Sequence, residues 1–361
     1  MVDWLHVDGR WIKDRFGRTF RIAGAGNAIF TLTPEDGVQP YIFAEKLGVF
    51  KRAGGNTYRL GVALDTFDNP EYASLVDQMI QWCKQREIYV QLDAHAFAQG
   101  VGQGNAWLPI FENPEPWYQF WEARARQYLN EPTVAFFEIC NEPLEDRMRA
   151  EEWRVMATTC VRRIHAINPN VICVVGDVSW NSRLETFEDN PILEPNVVYK
   201  INRYYHFSMW ADWGAAYRDA KTEADLLNAY ALMKSFFYEN GFDMLDKGYP
   251  VILGEFGAWR DCPYYNRTAD PNYLRQIDDQ LKMMDEWQAG FLQYAWAGYI
   301  KGYSISLAML TEDWTGLNEV GEVWRTHLPT PTPPVQAGIP VWAIPVVLLG
   351  VGVVYLATRK K

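Results

Sequence analysis

At 361 residues, 48% of them hydrophobic, the chain is long enough to bury a full core, and a single (β/α)8 barrel takes about 250 residues or somewhat more. Its formal net charge of −11 removes the long-range attraction that a phosphate backbone needs, which excludes nucleic acid as a partner and favours neutral or weakly charged substrates. Aromatic residues make up 15%, with 16 Trp; flat apolar rings can stack on sugar faces while their polar edges stay wet, although about half of them are expected in the core.

The chain begins, from Met1 to Arg21, with a polar, turn-rich stretch that lacks the apolar run of an export signal. Short β-rich runs then alternate with amphipathic stretches, the pattern of βαβ units on a parallel sheet. A strand over Phe20–Ala23 leads to a helix over Tyr41–Arg52, which Ala53-Gly54-Gly55-Asn56 stops because glycine accepts a left-handed cap. A strand over Thr57–Leu60, a helix over Pro70–Gln85, a strand over Tyr89–Leu92 and a helix over Pro116–Leu129 follow. Next come a strand over Val134–Cys140, a helix over Arg149–Ile167, and strands over Val171–Val175 and Val197–Ile201. A helix over Glu223–Tyr238, a strand over Val251–Leu253, a helix over Asn272–Trp287 and a strand over Phe291–Ala295 complete the series. Eight strands are what a closed barrel needs, so residues 1–328 are predicted to be an α/β domain of the (β/α)8 TIM-barrel type. Cys83, Cys140, Cys160, Cys173 and Cys262 are an odd number at no metal-ligand spacing and read as mostly buried thiols.

The C-terminal stretch is a separate physical object. Residues 329–336, opening Pro329-Thr330-Pro331-Thr332-Pro333-Pro334, form a stiff extended linker because proline fixes φ and lacks a backbone donor. Ala337 to Thr358 carries no charge and as a helix would extend roughly 33 Å, enough to cross a bilayer core. The basic tail Arg359-Lys360-Lys361 would stay in the cytoplasm, with Trp342 and Tyr355 as interfacial anchors. A single-pass protein of the cell membrane with its main domain outside the cell is therefore predicted. That topology calls for an export signal trimmed from or misassigned at the start of this chain; the alternative is a tail anchor with the domain facing the cytoplasm. The sequon Asn266-Arg267-Thr268 is compatible with export.

Two strings carry the chemistry. Phe136-Phe137-Glu138-Ile139-Cys140-Asn141-Glu142-Pro143 and Val251-Ile252-Leu253-Gly254-Glu255-Phe256-Gly257 each end a strand-forming run on a glutamate. Two carboxyls at neighbouring strand ends suit glycosidic bond cleavage, where one acid protonates the leaving oxygen and one carboxylate meets the developing oxocarbenium ion. In a barrel these ends build the pocket, and Arg59, Asp93, His95, Asn141, Asn202, Tyr204 and Trp296 fall at them as well. With Asn56-Thr57-Tyr58-Arg59-Leu60 and Val90-Gln91-Leu92-Asp93-Ala94-His95 in support, the sequence from Asp8 to Leu328 resembles glycoside hydrolase family 5, in the clan A group of retaining barrel glycosidases.

The resemblance implies that Glu142 is the general acid/base and Glu255 the nucleophile, with carboxyls about 5 to 5.5 Å apart. Burial and the nearby negative charge should keep Glu142 protonated, while Arg59 keeps Glu255 ionised. By the same resemblance Asn141 contacts the sugar 2-hydroxyl, His95 contacts a substrate hydroxyl, Tyr204 hydrogen-bonds the nucleophile and Trp296 is the platform beneath the cleaved sugar. Turn capping by Asn141, a structural His95 and a Trp296 that merely fills the barrel mouth are the competing accounts. Asp93 reads as a buried partner of Arg59. The family's His-x-Tyr after the sixth strand is replaced here by Asn202-Arg203-Tyr204, and His206 is a candidate substitute. Trp107, Trp180, Trp210, Trp213 and Trp259 fall in loops expected on the catalytic face, with Trp180 and Trp259 taken as substrate-binding. Such a row of rings favours endo-action on a β-linked oligo- or polysaccharide, with β-1,4-glucan first and β-mannan or β-1,3-glucan open. No metal or other cofactor is expected. The contrasting reading is a membrane-anchored barrel that binds carbohydrate without turnover.

Overall fold

The computed structural model describes residues 2–28, 40–98, 107–143, 149–205, 212–258, 271–296, 308–311 and 315–329, all within a compact unit, Met1–Pro329. An antiparallel hairpin, β1 (His6–Asp8) and β2 (Trp11–Lys13), precedes the barrel. The barrel strands are β3 (Ala23–Ala28), β4 (Thr57–Ala63), β5 (Tyr89–Ala96), β6 (Phe136–Glu138), β7 (Ile172–Val175), β8 (Val197–Ile201), β9 (Val251–Phe256) and β10 (Gly290–Tyr294). They close in sequence order, all parallel, with β10 returning to β3. The predicted barrel is therefore present.

Side-chain alternation divides the strands between two cores. Outward residues such as Tyr58, Leu60, Val90, Leu92, Tyr199, Leu253 and Phe291 pack with the helices in one large cluster. Inward residues Ile22, Tyr89, Phe136, Ile172, Val174, Val198, Ile252 and Leu292 join Leu5 and Ile12 of the hairpin segment in a second, smaller cluster. The hairpin thus plugs the N-terminal end, where Val7 N donates to Asn196 Oδ1 at 2.9 Å. What remains for chemistry is the opposite end.

Side-chain caps fix the start of two of the long helices. Asn69 accepts from Glu71 N at 2.9 Å with proline in the first turn, so Pro70–Gln85 starts where the sequence indicates. Thr222 and Asp225 make a reciprocal capping box at the start of Glu223–Glu239. Short helices over Leu108–Glu112, Glu185–Glu188 and Glu319–Thr326, together with the hairpin, are additional to the predicted elements.

The first barrel strand differs from the prediction, beginning at Ala23 where the expected Phe20–Ala23 ends. Its Ala-Gly-Ala-Gly-Asn-Ala sequence has little β propensity, yet the barrel interior requires it. A Cβ on Gly26 would lie 2.3 Å from the Arg59 carbonyl oxygen and 2.5 Å from Arg59 Cβ, so this wall is bare to make room for the guanidinium stem.

Four cysteines, Cys83, Cys140, Cys160 and Cys173, are free and buried; Cys262 lies outside the described residues. No helix among the described residues is long and apolar enough to cross a membrane. The linker beyond Pro329, the apolar segment 337–358, the basic tail and the sequon at 266–268 lie outside the described residues.

Candidate active site

Above the apolar plug the barrel interior turns ionic. Arg59 projects from β4 and is 2% exposed; its Nε and Nη2 donate to Glu138 of β6 at 2.6 and 2.8 Å, and Nη2 also meets Asp93 Oδ2 of β5 at 2.8 Å. Nη1 reaches Glu255 Oε1 at 2.5 Å. Burying so many charges is tolerable only because each has a partner of opposite sign or a hydrogen bond. Lys200 of β8 adds a second buried cation on Glu138 Oε1, and Gln91 Nε2 donates to Glu138 Oε2 at 2.7 Å.

Glu255 faces this cluster because β9 is irregular. Phe291 of β10 pairs with Leu253 and Gln293 with Phe256, so β9 carries one extra residue between two outward-facing ones. Such a bulge re-aims a side chain, and here it turns both Gly254 and Glu255 inward. Tyr204 Oη donates to Glu255 Oε2 at 2.7 Å, and His95 Nδ1 lies 4.0 Å from Oε1. Burial works against the ionised carboxylate, but Arg59, His95, Lys200 and Tyr204 outweigh it and hold Glu255 below the usual glutamate range.

Glu142 stands just past the end of β6 on a left-handed backbone, φ 48°. Non-glycine residues adopt that conformation at a cost of roughly 1–2 kcal/mol, and it recurs where a side chain must be aimed. Its Oε1 accepts from Asn202 Nδ2 at 2.9 Å, while Asn202 Oδ1 accepts from the backbone N–H of Glu255 at 2.8 Å. One amide therefore joins the two glutamates. Burial first, then the negative charge of Glu255, raises the Glu142 carboxyl to about 7. The two carboxyls are thus pushed apart, one toward the acid and one toward the carboxylate, which is the division of labour an acid and a nucleophile need.

Asn141 accepts through Oδ1 from Arg59 at 3.0 Å, Lys200 at 3.2 Å and Asn202 at 3.4 Å. Its Nδ2 is buried with no hydrogen-bond partner among the described residues. A donor left unsatisfied in this setting is an explanation waiting for a ligand. His95 lies at an irregularity in β5 and holds Asp93 Oδ2 through Nδ1 at 2.7 Å, so Asp93 serves Arg59 and His95 together, as a buried partner.

Glu142, Glu255, Arg59, His95, Asn141, Asn202 and Tyr204 are therefore brought together. Trp296 is not with them. Its indole is fully buried on the helix side, packed on Phe50 and Trp324 with centroids at 5.1 and 5.8 Å, and its Nε1 donates to the Lys46 carbonyl at 3.3 Å. The platform expectation is corrected: Trp296 packs away from the pocket, and the ring that ends β10 is Tyr294, half-buried. Trp107 and Trp213 are also buried, the latter among Tyr205, Tyr217 and Phe237. Of the expected row only Trp180 is described and half-exposed, on a turn where Ser179, Trp180 and Asn181 are all left-handed (φ 61°, 62° and 54°). That turn borders a cavity of about 210 Å³ lined by Asp177, Ser179, Arg183 and Thr186 among others. Trp259, Trp210 and His206 lie outside the described residues.

Sequence reasoning assigned no role to Glu138, Lys200 and Gln91. The available signal was a lone charge or amide within an otherwise apolar strand, which in a barrel marks a residue turned toward the axis.

The family model for cellulase, glycosyl hydrolase family 5, matches residues 38–299. Among curated proteins, endoglucanase B of Acetivibrio thermocellus is 23% identical over 77% of this chain and 62% of its own length. An endoglucanase of Paenibacillus polymyxa is 27% identical over 49% of this chain and 51% of its own. The chain thus spans about half to six-tenths of the length of these relatives. Among solved structures, a β-glucanase from Saccharophagus degradans in complex with cellotetraose superimposes with a TM-score of 0.67 at 20% identity, covering 90% of this chain and 92% of that one. The hyperthermophilic endocellulase of Pyrococcus horikoshii gives 0.70 at 17%, covering 90% and 98%. At such identities the structural likeness speaks for the fold. The match of the family model over most of the barrel assigns the lineage: the chain belongs to the cellulase family, glycosyl hydrolase family 5.

Proposed function

We propose that this protein is a retaining endo-glycosidase that cleaves β-linked glucan, with Glu142 as acid/base and Glu255 as nucleophile. The observation that carries the reading is the pair of buried glutamates joined through Asn202 and held in opposite protonation states. Protonated Glu142 donates to the glycosidic oxygen as Glu255 attacks the anomeric carbon; Glu142, now a carboxylate, then activates water to release the sugar. Arg59 and Tyr204 hold the attacking carboxylate, and the unpaired Nδ2 of Asn141 is the donor suited to the 2-hydroxyl. β-1,4-glucan is the first choice because the relatives are named endoglucanases and a structural neighbour holds cellotetraose. Half-exposed Trp180 supports binding of more than one sugar unit.

The test is release of reducing ends from carboxymethylcellulose, glucomannan and laminarin. Carboxymethylcellulose is expected to be cleaved fastest, and Glu142→Gln and Glu255→Gln should each fold yet lose at least about 10³-fold in kcat. Faster cleavage of glucomannan or laminarin would reassign the substrate. Binding without new ends would instead favour a carbohydrate-binding barrel.

We also propose that residues 337–358 tether the barrel to a membrane with its site outside the cell, on the strength of the uncharged run and the basic residues after it. Expressed with an export signal, the full chain should stay with membranes through alkaline carbonate washing, and external protease should reach the barrel. Release by carbonate, or protection of the barrel in intact cells, contradicts this.

A further inference from the structure

We propose that Lys200 is a positioning residue of this centre: it fixes the Asn141 amide and neutralises Glu138, leaving Arg59 available to the nucleophile. The inference rests on the hydrolase reading above and deepens it.

Lys200 is a fully buried ammonium in an otherwise apolar strand, Val197–Ile201, and taking such a group from water is unfavourable unless its partners are well placed. The fold makes room for it. A Cβ on Gly254 would fall 2.1 Å from Lys200 Cγ, so glycine beside the nucleophile is what lets the lysine stem rise through the barrel.

Its two contacts have different consequences. At Asn141, Lys200, Arg59 and Asn202 all donate to Oδ1, and three donors on one acceptor determine which end of the amide is oxygen. Nδ2 is then the end left free, the only end that can donate to a sugar hydroxyl. At Glu138, Lys200 takes Oε1 while Arg59 binds both oxygens at 2.6 and 2.8 Å. Arg59 still extends Nη1 to Glu255. Without Lys200, Arg59 would be the one cation left on Glu138 among the described residues, with only the neutral Gln91 amide beside it, and the guanidinium would be drawn from the nucleophile.

Charge sharpens the consequence. Arg59 and Lys200 face Glu138, Glu255 and Asp93, with Glu142 joined to the group through Asn202 and His95 and Tyr204 at its edge. Loss of one cation favours protons on the remaining carboxyls, and Lys200 opposes protonation of both Glu142 and Glu255. Both limbs of the pH profile should therefore move upward in its absence.

The experiment compares the full wild-type chain with Lys200→Met on an aryl β-cellobioside and on its analogue lacking the 2-hydroxyl of the cleaved sugar. Lys200→Met should lower kcat about 30- to 300-fold with KM changed less than about 3-fold, and shift both limbs upward by roughly half a unit or more. The penalty for removing the 2-hydroxyl should shrink at least about 5-fold, a readout that a purely structural lysine would not move. Should the single variant fail to fold, Lys200→Met with Glu138→Gln removes the cation and its carboxylate together and is read the same way on the 2-hydroxyl. A folded variant with wild-type kcat, unmoved limbs and an undiminished 2-hydroxyl penalty overturns the proposal for Lys200 alone. Absence of turnover by the wild type overturns the hydrolase reading and this inference with it.

Discussion

Glu142 combines three unfavourable features: a left-handed backbone, burial and a carboxylate neighbour in Glu255. The proposed acid role explains their coexistence, since each helps to hold a proton aimed at one place. The pH dependence follows in sign. In the proposed mechanism Glu142 is protonated, so kcat/KM should fall as pH rises through about 7, and Glu255 is ionised, so activity should fall at low pH only below its lowered range. Stability moves with the same proton. Because the Glu142 pKa is raised from 4.5 to about 7 on folding, the native state binds the extra proton between those values and the wild type loses stability as pH climbs through that window. Glu142→Gln cannot lose it, so its stability relative to the wild type should grow by about 3 kcal/mol from pH 4.5 to 7, measurable as a rising difference in denaturant midpoint. An advantage independent of pH would contradict this. The glutamate pair and Tyr204 were legible because they sit at or just past the ends of recognisable strands, and Arg59 because it is a lone charge inside one. Trp296 was not, because a buried indole satisfied by the Lys46 carbonyl and a stacking platform leave the same letter in the sequence.

At the scale of elements, tryptophan serves the scaffold as much as any substrate. Trp117 and Trp121 both donate to the Ile139 carbonyl, just before Asn141 and Glu142, at 2.8 and 2.9 Å. Trp153 does the same for Gly176 and Trp324 for Gly24. These indoles satisfy strand carbonyls while filling the space between helix and barrel. Strands were readable from their apolar runs, except β3, whose Gly24 and Gly26 answer to close neighbours, Thr57 with Leu292 and Arg59, rather than to local propensity. The helix Glu319–Thr326 was not readable, being too short for its periodicity to stand out. It is fastened through His327, whose Nδ1 meets Asp285 at 2.5 Å and whose Nε2 meets Asp278 at 2.9 Å, with Arg21 also on Asp285. Burial opposes the imidazolium, but Asp285 and Asp278 prevail and raise its pKa. Its stabilisation is therefore fully present below the unfolded value and lost as pH rises through the folded one. His327→Gln should lower the melting temperature by about 2–4 °C at pH 5.5, and the deficit should vanish at high pH. An equal deficit at both would show that charge is not what fastens the helix.

At the scale of the whole molecule, the hairpin and the small inner core seal one end of the barrel and leave the ionic cluster at the other. That division positions the site: apolar packing below, paired charge in the middle, and the two glutamates at the open strand ends. The (β/α)8 plan could be read from eight spaced runs, while the ion cluster could not, since pairings such as Arg59 with Glu138 join residues far apart in sequence. In the proposed reaction Glu255 attacks the anomeric carbon while Glu142 supplies and then recovers the proton. The most direct measurement is the anomeric configuration of the first-formed product, followed by proton NMR during cleavage of a cello-oligosaccharide. Double displacement predicts that the β-anomer accumulates first and only later mutarotates. Initial release of the α-anomer would contradict the assignment of Glu255 as nucleophile.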